Sequence, residues 1–349
     1  MISPSLLLLA GALLLGSSPN DHRHDQQAPL LKRFAYQEPH MGTEFRLVLY
    51  AKTEREADDA ASAAFARVTE LNALLSDYEL ESDISQLNRA AGGPPRKVSA
   101  DLFAVVQRSN DFARLSDGAF DISAAPLIRE WRRARTRHRL PDPRRLQEAQ
   151  RLVGCAKIQL DQVRRAIRLP MEGMRLDVGG IAKGYTGDEV LKVLREKGIT
   201  KAMIDAGGDI VVGDPPPGRP GWTIALQEVP GEPSESIVCH NLAIATSGDT
   251  SRFVELEGKR YSHIIDPRTG HALTSRLQVT VIAPSGTEAD ALASAVSVLG
   301  EEEGLALIDE REGVSCRIVN VSGQKSSESR SKWSKRLPIT PNYRKKGEK

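Results

Sequence analysis

The stretch Leu176-Asp177-Val178-Gly179-Gly180-Ile181-Ala182-Lys183-Gly184-Tyr185 concentrates residues suited to chemistry. An apolar run ends in paired glycines, and a helical pattern (EVLKVLREK) follows. That order predicts a strand, a tight turn and a helix start. Gly180 has no Cβ, so a ligand can approach the backbone closely there. The helix start aims unpaired N–H groups and a positive dipole end at the turn, and Asp177 adds an acceptor. A nucleotide, or a phosphate with a metal, suits such a turn. The spacing matches neither GxGxxG nor the phosphate loop, and a plain strand-to-helix turn also fits.

Two further groups could act on such a ligand. Asp290 and Ser294 are four residues apart on a predicted helix, so they share one face. An acid and a hydroxyl there suit Mg²⁺, which prefers oxygen ligands; a dipole-favoured acid beside an uninvolved serine also fits. His263 lies in Tyr261-Ser262-His263-Ile264-Ile265-Asp266-Pro267-Arg268-Thr269-Gly270. Strand alternation places Tyr261, His263 and Ile265 on one face, ahead of a turn. Histidine can serve as general acid or base, or as a structural residue. The other histidines lack ligand spacing. No GxSxG or HExxH occurs, which removes the common serine-hydrolase and zinc-protease readings.

Composition narrows the remaining classes. The 349 residues carry 48 Lys+Arg against 46 Asp+Glu, so no overall field steers nucleic acid. Aromatics at 5% argue against a single-strand stacking platform. Cys155, Cys239 and Cys316 are widely spaced without a CxxC, against a structural zinc site. Leu6 to Gly16 is an apolar run of signal-peptide length, too short to span a bilayer. Residues 1–28 read as a signal peptide or uncleaved anchor plus a polar linker, residues 29–338 as the folded domain, and residues 339–349 as a basic disordered tail.

The positioning elements follow from periodicity and capping. Thr53 with Glu56 forms a capping box for a helix to about Leu75. Ser82 to Asn88 reads as a short capped helix or loop, and Ser99 opens a second long helix. Asp142-Pro143 starts a short basic helix. Strands are predicted at 45–50, 158–160, 166–169, 201–205, 210–212, 222–227, 242–246, 253–256, 260–265, 277–283 and 314–321. Thr287 is the expected cap of a helix running to Leu299, followed by a shorter one over 302–309. Hairpin-like breaks between strands favour α+β with largely antiparallel sheets over a doubly wound fold.

Eight segments, in order, resemble the ApbE family of FAD:protein FMN transferases. They are Met41-Gly42-Thr43, Ser82 to Asn88, Gly118 to Ser123, Leu176 to Gly184, Asp205 to Ile210, Ala245 to Gly248, His263 to Gly270 and Ala289 to Ala293. The resemblance implies an ApbE-like, T-fold-like domain that uses FAD and Mg²⁺. It implies transfer of FMN through a phosphoester to a Thr or Ser hydroxyl of an exported or membrane redox protein, with release of AMP. It further implies FAD contacts from Met41, Tyr78, the Ala119-Phe120-Asp121 backbone, Asp177 and Ile265. On chemical grounds the backbone N–H groups at Gly179 and Gly180 suit phosphate oxygens, and Lys183 suits either a phosphate or a plain helix surface. Mg²⁺ ligands would be the Ala182 carbonyl, Asp290 and Ser294, and His263 would be the acid/base. The family often has Thr where Ser294 stands and a proline near Ala272. A periplasmic protein, or one attached to the outer face of the cytoplasmic membrane, is the expected setting. An FAD pyrophosphatase and a non-catalytic flavin-binding protein are the alternatives.

Overall fold

A two-residue turn opens the described chain: β1 (Lys32–His40) pairs with β2 (Thr43–Ala51) across Met41-Gly42, both at positive φ. Such a turn matches the twist of the two strands. The computed structural model describes residues 30–226, 234–248, 253–322, 325–332 and 339–342. The predicted leader, residues 1–28, therefore lies outside the described residues, as do residues 343–349 of the predicted tail.

The helices begin where their caps predict. Thr53, Ser82 and Ser99 each accept a backbone N–H and start α1 (Glu54–Leu75), α2 (Asp83–Arg89) and α3 (Ala100–Leu115). The sequence reading missed α4 (Ala125–Arg137), whose apolar side is Leu127, Trp131 and Ala134. Asp142 caps α5 (Pro143–Arg151), and α6 (Ala182–Glu196) follows the paired glycines. The last helix, α7 (Gly286–Asp309), contains a non-helical Gly300, so the two predicted helices are joined across a kink.

Eight strands form the main sheet. With β6 (Ala202–Ala206), β7 (Ile210–Val212), β10 (Leu242–Gly248), β13 (Leu277–Ala283), β14 (Ser315–Ser322) and β15 (Lys325–Arg330), its order is β1-β2-β6-β7-β10-β13-β14-β15. Every pairing between its neighbours is antiparallel. Small sheets are β3 (Arg96–Lys97) with β5 (Ala166–Arg168) and β4 (Gln159–Asp161), β11 (Phe253–Leu256) with β12 (Lys259–Ser262), and β16 (Ile339–Asn342) with β9 (Ser234–Cys239) and β8 (Trp222–Ala225). The fold is α+β with antiparallel sheets packed on helices. One face of the main sheet carries α1, α6 and α7 over Leu47, Ile204, Val279 and Val281. Its other face packs Val48, Val212 and Ile282 against Trp222, Ile224 and Ile237. Covered on both sides, β13 is buried along its whole length, as a doubly packed strand must be.

Four expectations need correction. The run Leu176 to Val178 is not a strand. Asn88 donates from Nδ2 to Leu176 O (3.0 Å) and accepts Leu176 N–H (2.7 Å), while Asp177 N–H donates to Ile122 O. These partners take the place of a neighbouring strand. The cap of α7 is Ser285, not Thr287, whose hydroxyl is drawn away to Asp188. Strand β12 stops at Ser262, because the Ser262 hydroxyl turns back to accept Ile264 N–H. Alternation therefore does not extend to His263 and Ile265. Finally, Ile339–Asn342, assigned to the tail, pair with β9.

Candidate active site

The N-terminus of α6 has no side-chain cap of its own, and α7 supplies the missing acceptor. Asp290 Oδ2 accepts the Gly184 N–H at 3.1 Å. In return, Asp188 on α6 accepts Gly286 N–H (2.7 Å), Thr287 N–H (2.9 Å) and the Thr287 hydroxyl (2.6 Å). Each helix thus caps the other, satisfying donors that a helix start leaves open. The crossing is so close that a Cβ on Gly184 would lie 2.0 Å from Gly286 O.

Around this crossing the structure gathers most of the candidate residues. A Cβ on Gly180 would lie 2.8 Å from Ser294 Oγ and 3.4 Å from the Phe120 ring. Ala182 O accepts the Thr186 hydroxyl (2.7 Å), which also lies 3.7 Å from Met41 Sδ. Lys183 Nζ pairs with Asp209, which lies in the Asp205 to Ile210 segment. The Gly179 N–H is committed to Asp177 Oδ1 at 2.9 Å, whereas no hydrogen bond engages the Gly180 N–H among the described residues.

Charge at the crossing is unbalanced. Asp209 and Asp290 are both buried, and the Lys183 ammonium is paired with Asp209. Burial, then the Asp209 charge, pushes the Asp290 carboxyl up to about 7, against the pull of Lys183 and the backbone N–H groups of Gly184 and Lys183. Burial also raises Asp209, against Lys183. Two buried carboxylates with one ammonium favour a further cation. The Ala182 carbonyl, Asp290 carboxylate and Ser294 hydroxyl are all oxygen donors, the kind a hard divalent ion prefers. The residues present therefore fit Mg²⁺.

A second cluster adjoins the first through residues 177–180. Arg132 donates to Asp177 Oδ2 (3.0 Å) and Asp77 Oδ2 (3.2 Å), and its guanidinium lies 5.1 Å from the Tyr78 ring centre. Burial and then the Asp77 charge raise the Asp177 pKa, while Gly179 N–H and Arg132 oppose them. Tyr78 is 76% exposed, an aromatic face held from behind. Sequence reasoning missed Arg132, although Leu127, Trp131 and Ala134 at helical spacing carried the signal for its helix.

The third group is a pair of abutting turns. Asp121 accepts from Ser123 N–H and hydroxyl and from Cys155 N–H and thiol. Its carboxylate is an internal strut that fixes the Ala119-Phe120-Asp121 backbone. Gly118, at positive φ, faces Arg268 Cγ at a Cβ distance of 3.7 Å. Trp131 Nε1 donates to Gly270 O (2.9 Å), and Gln150 Nε2 to Pro267 O (2.7 Å), fixing that turn to α4 and α5. Half-buried His263 stands on the same segment. Ile265 bridges to Ala272 and packs in a satellite core with Leu127 and Trp131.

The same layout of segments recurs in known proteins. A model of the ApbE family matches residues 41–318. A Klebsiella pneumoniae FAD:protein FMN transferase is 31% identical over 291 residues, covering 82% of this chain and 89% of its own length. One from Treponema pallidum is 32% identical over 297 residues, covering 80% and 82%. The apo crystal structure of the Pseudomonas stutzeri flavinyl transferase ApbE superposes with a TM-score of 0.79 at 26% identity, over 88% of this chain and 97% of that one. The matched span runs from the Met41 turn through the Asp290 helix crossing, and on that extent the chain belongs to the ApbE family.

Proposed function

We propose that this chain is an exported, Mg²⁺-dependent transferase that moves FMN from FAD onto a Thr or Ser hydroxyl of an acceptor redox protein. The acceptor oxygen forms a bond to the FMN phosphorus, the pyrophosphate P–O bond breaks, and AMP leaves. The observation that carries this reading is the α6–α7 crossing, where two buried carboxylates, one of them paired with Lys183, lie near Gly180, whose N–H no described residue engages. Mg²⁺ held there by Ala182 O, Asp290 and Ser294 would neutralise pyrophosphate charge. Gly180 N–H donates to a phosphate oxygen. Tyr78 packs a ring of FAD, and His263 takes the proton from the acceptor hydroxyl. The apolar run at Leu6 to Gly16 supports a periplasmic setting or attachment to the outer face of the cytoplasmic membrane.

The deciding experiment incubates residues 29–349 with FAD and Mg²⁺, with and without a protein carrying an exposed Thr or Ser. AMP together with covalent FMN, both dependent on the acceptor, is the expected result. AMP and free FMN without acceptor would make the chain an FAD pyrophosphatase. Intact bound FAD in both arms would make it a flavin-binding protein.

Two substitutions probe the parts separately. Arg132→Ala should raise the Kd for FAD on the order of tenfold, the equivalent of one charge-assisted hydrogen bond of ~1.5 kcal/mol. Losing that cation also raises the Asp177 pKa further, so FAD binding weakens at a higher pH than in the wild type as acid is added. An unchanged pH profile in flavin-fluorescence titrations would refute the role of Arg132. Gly180→Ala places a methyl against the Ser294 hydroxyl. That side chain can rotate, so the melting temperature should hold within a few degrees, while transfer falls on the order of 10- to 100-fold as the hydroxyl leaves the ligand set. Full transfer activity would show that the Ser294 hydroxyl is not part of the ligand set.

A further inference from the structure

The α4–α5 segment carries an unusual charge. Between Arg129 and Arg151 there are nine arginines against three acids, in a chain whose formal net charge is +2. The apolar side of α4 is buried through Leu127, Trp131 and Ala134, so most of these arginines are turned outward. Arg135, Arg137, Arg139 and Arg144 are exposed, and none forms an ion pair among the described residues. At its edge, burial and then the Arg129 charge hold the neighbouring Arg175 guanidinium below its ordinary pKa, and Arg89 adds to the effect.

This face is fixed to the candidate active site by direct bonds. Arg132 on α4 reaches Asp177 and Tyr78. Trp131 holds Gly270, and Gln150 on α5 holds Pro267, on the segment that carries His263. A macromolecule bringing a hydroxyl to that segment approaches a site flanked by α4 and α5. Resting on the transferase reading above, we propose that the exposed arginines of α4 and α5 form the docking surface for an acidic segment of the acceptor protein. A negative segment is the complement of an uncompensated positive face, and such pairing raises encounter rates and fixes register. An acidic lipid surface would also satisfy the charge, but it brings no Thr or Ser hydroxyl of an acceptor protein to this edge of the site.

The test uses the full chain and short fluorescent peptides, each with one threonine, flanked by Asp/Glu, by Asn/Gln or by Lys. At low salt the acidic peptide should bind about tenfold more tightly than the neutral one, with the advantage collapsing at high salt. The Arg135→Gln/Arg137→Gln/Arg144→Gln variant should lose most of that advantage while its FAD affinity stays unchanged. Equal binding of all peptides, or an advantage that survives the triple substitution, overturns the proposal. Arginine-dependent binding to phosphatidylglycerol vesicles that displaces the acidic peptide assigns the face to lipid and also overturns it. Peptide binding without AMP release from FAD in any arm would instead count against the transferase reading and leave the docking surface standing.

Discussion

Asp290→Asn is expected to lower FMN transfer on the order of a thousandfold while making the metal-free protein more resistant to heat. The first effect follows from the ligand set. A bound metal supplies several kcal/mol of charge stabilisation, and each 1.36 kcal/mol is a decade in rate. The second follows from linkage. Burial and Asp209 push Asp290 up to about 7, so the folded chain keeps a proton that the unfolded chain releases near the ordinary carboxylate pKa. Stability therefore falls as pH rises from that range through about 7, and stays lower above it. Asparagine carries no charge to bury and can still accept the Gly184 N–H. At pH 8 without metal the variant should melt several degrees above the wild type. Added Mg²⁺ should raise the wild-type melting temperature and leave the variant's unmoved. A variant that transfers FMN normally, or a wild type indifferent to Mg²⁺ in thermal scans, would remove Asp290 from the metal site.

Gly184→Ala should act in the opposite way, through the fold. The added methyl would lie 2.0 Å from Gly286 O and 2.8 Å from Asp290 Cβ. Its nearest obstacle is backbone, which cannot rotate aside. Relief requires α6 and α7 to separate, yet Asp188 and Asp290 bond them across the same point. Overpacking costs ~1–3 kcal/mol and occasionally more; against rigid backbone the upper end is expected, a large share of the ~5–15 kcal/mol that holds a domain folded. The denaturation midpoint should fall sharply and soluble yield with it. Gly180→Ala, whose methyl meets a movable hydroxyl, is the matched control. Equal stability of the two variants would mean that the helices do not touch at Gly184.

Local chemistry made part of this architecture legible in advance. The caps at Thr53, Ser82, Ser99 and Asp142 lie next to the helices they start, so spacing alone revealed them. The turn at Gly179-Gly180 and the one-turn separation of Asp290 and Ser294 were similarly local. What escaped depends on distant partners. Leu176 to Val178 has the composition of a strand, but its hydrogen bonds go to Asn88 and Ile122. Thr287 looks like a cap until Asp188, from another helix, takes its hydroxyl. Arg132 gains its role from Asp77, Tyr78 and Asp177, and Asp209 from Lys183, none of which spacing along the chain brings together.

The Gly184–Asp290 hydrogen bond spans 106 positions, and β2 finds its partner β6 some 150 residues later. Pairings between such remote segments form slowly and late. A nascent or truncated chain that lacks α7 has neither Asp290 nor Ser294, and one that lacks α6 has no cradle for a phosphate. On the proposed transferase reading, flavin capture therefore reports completed folding of both helices.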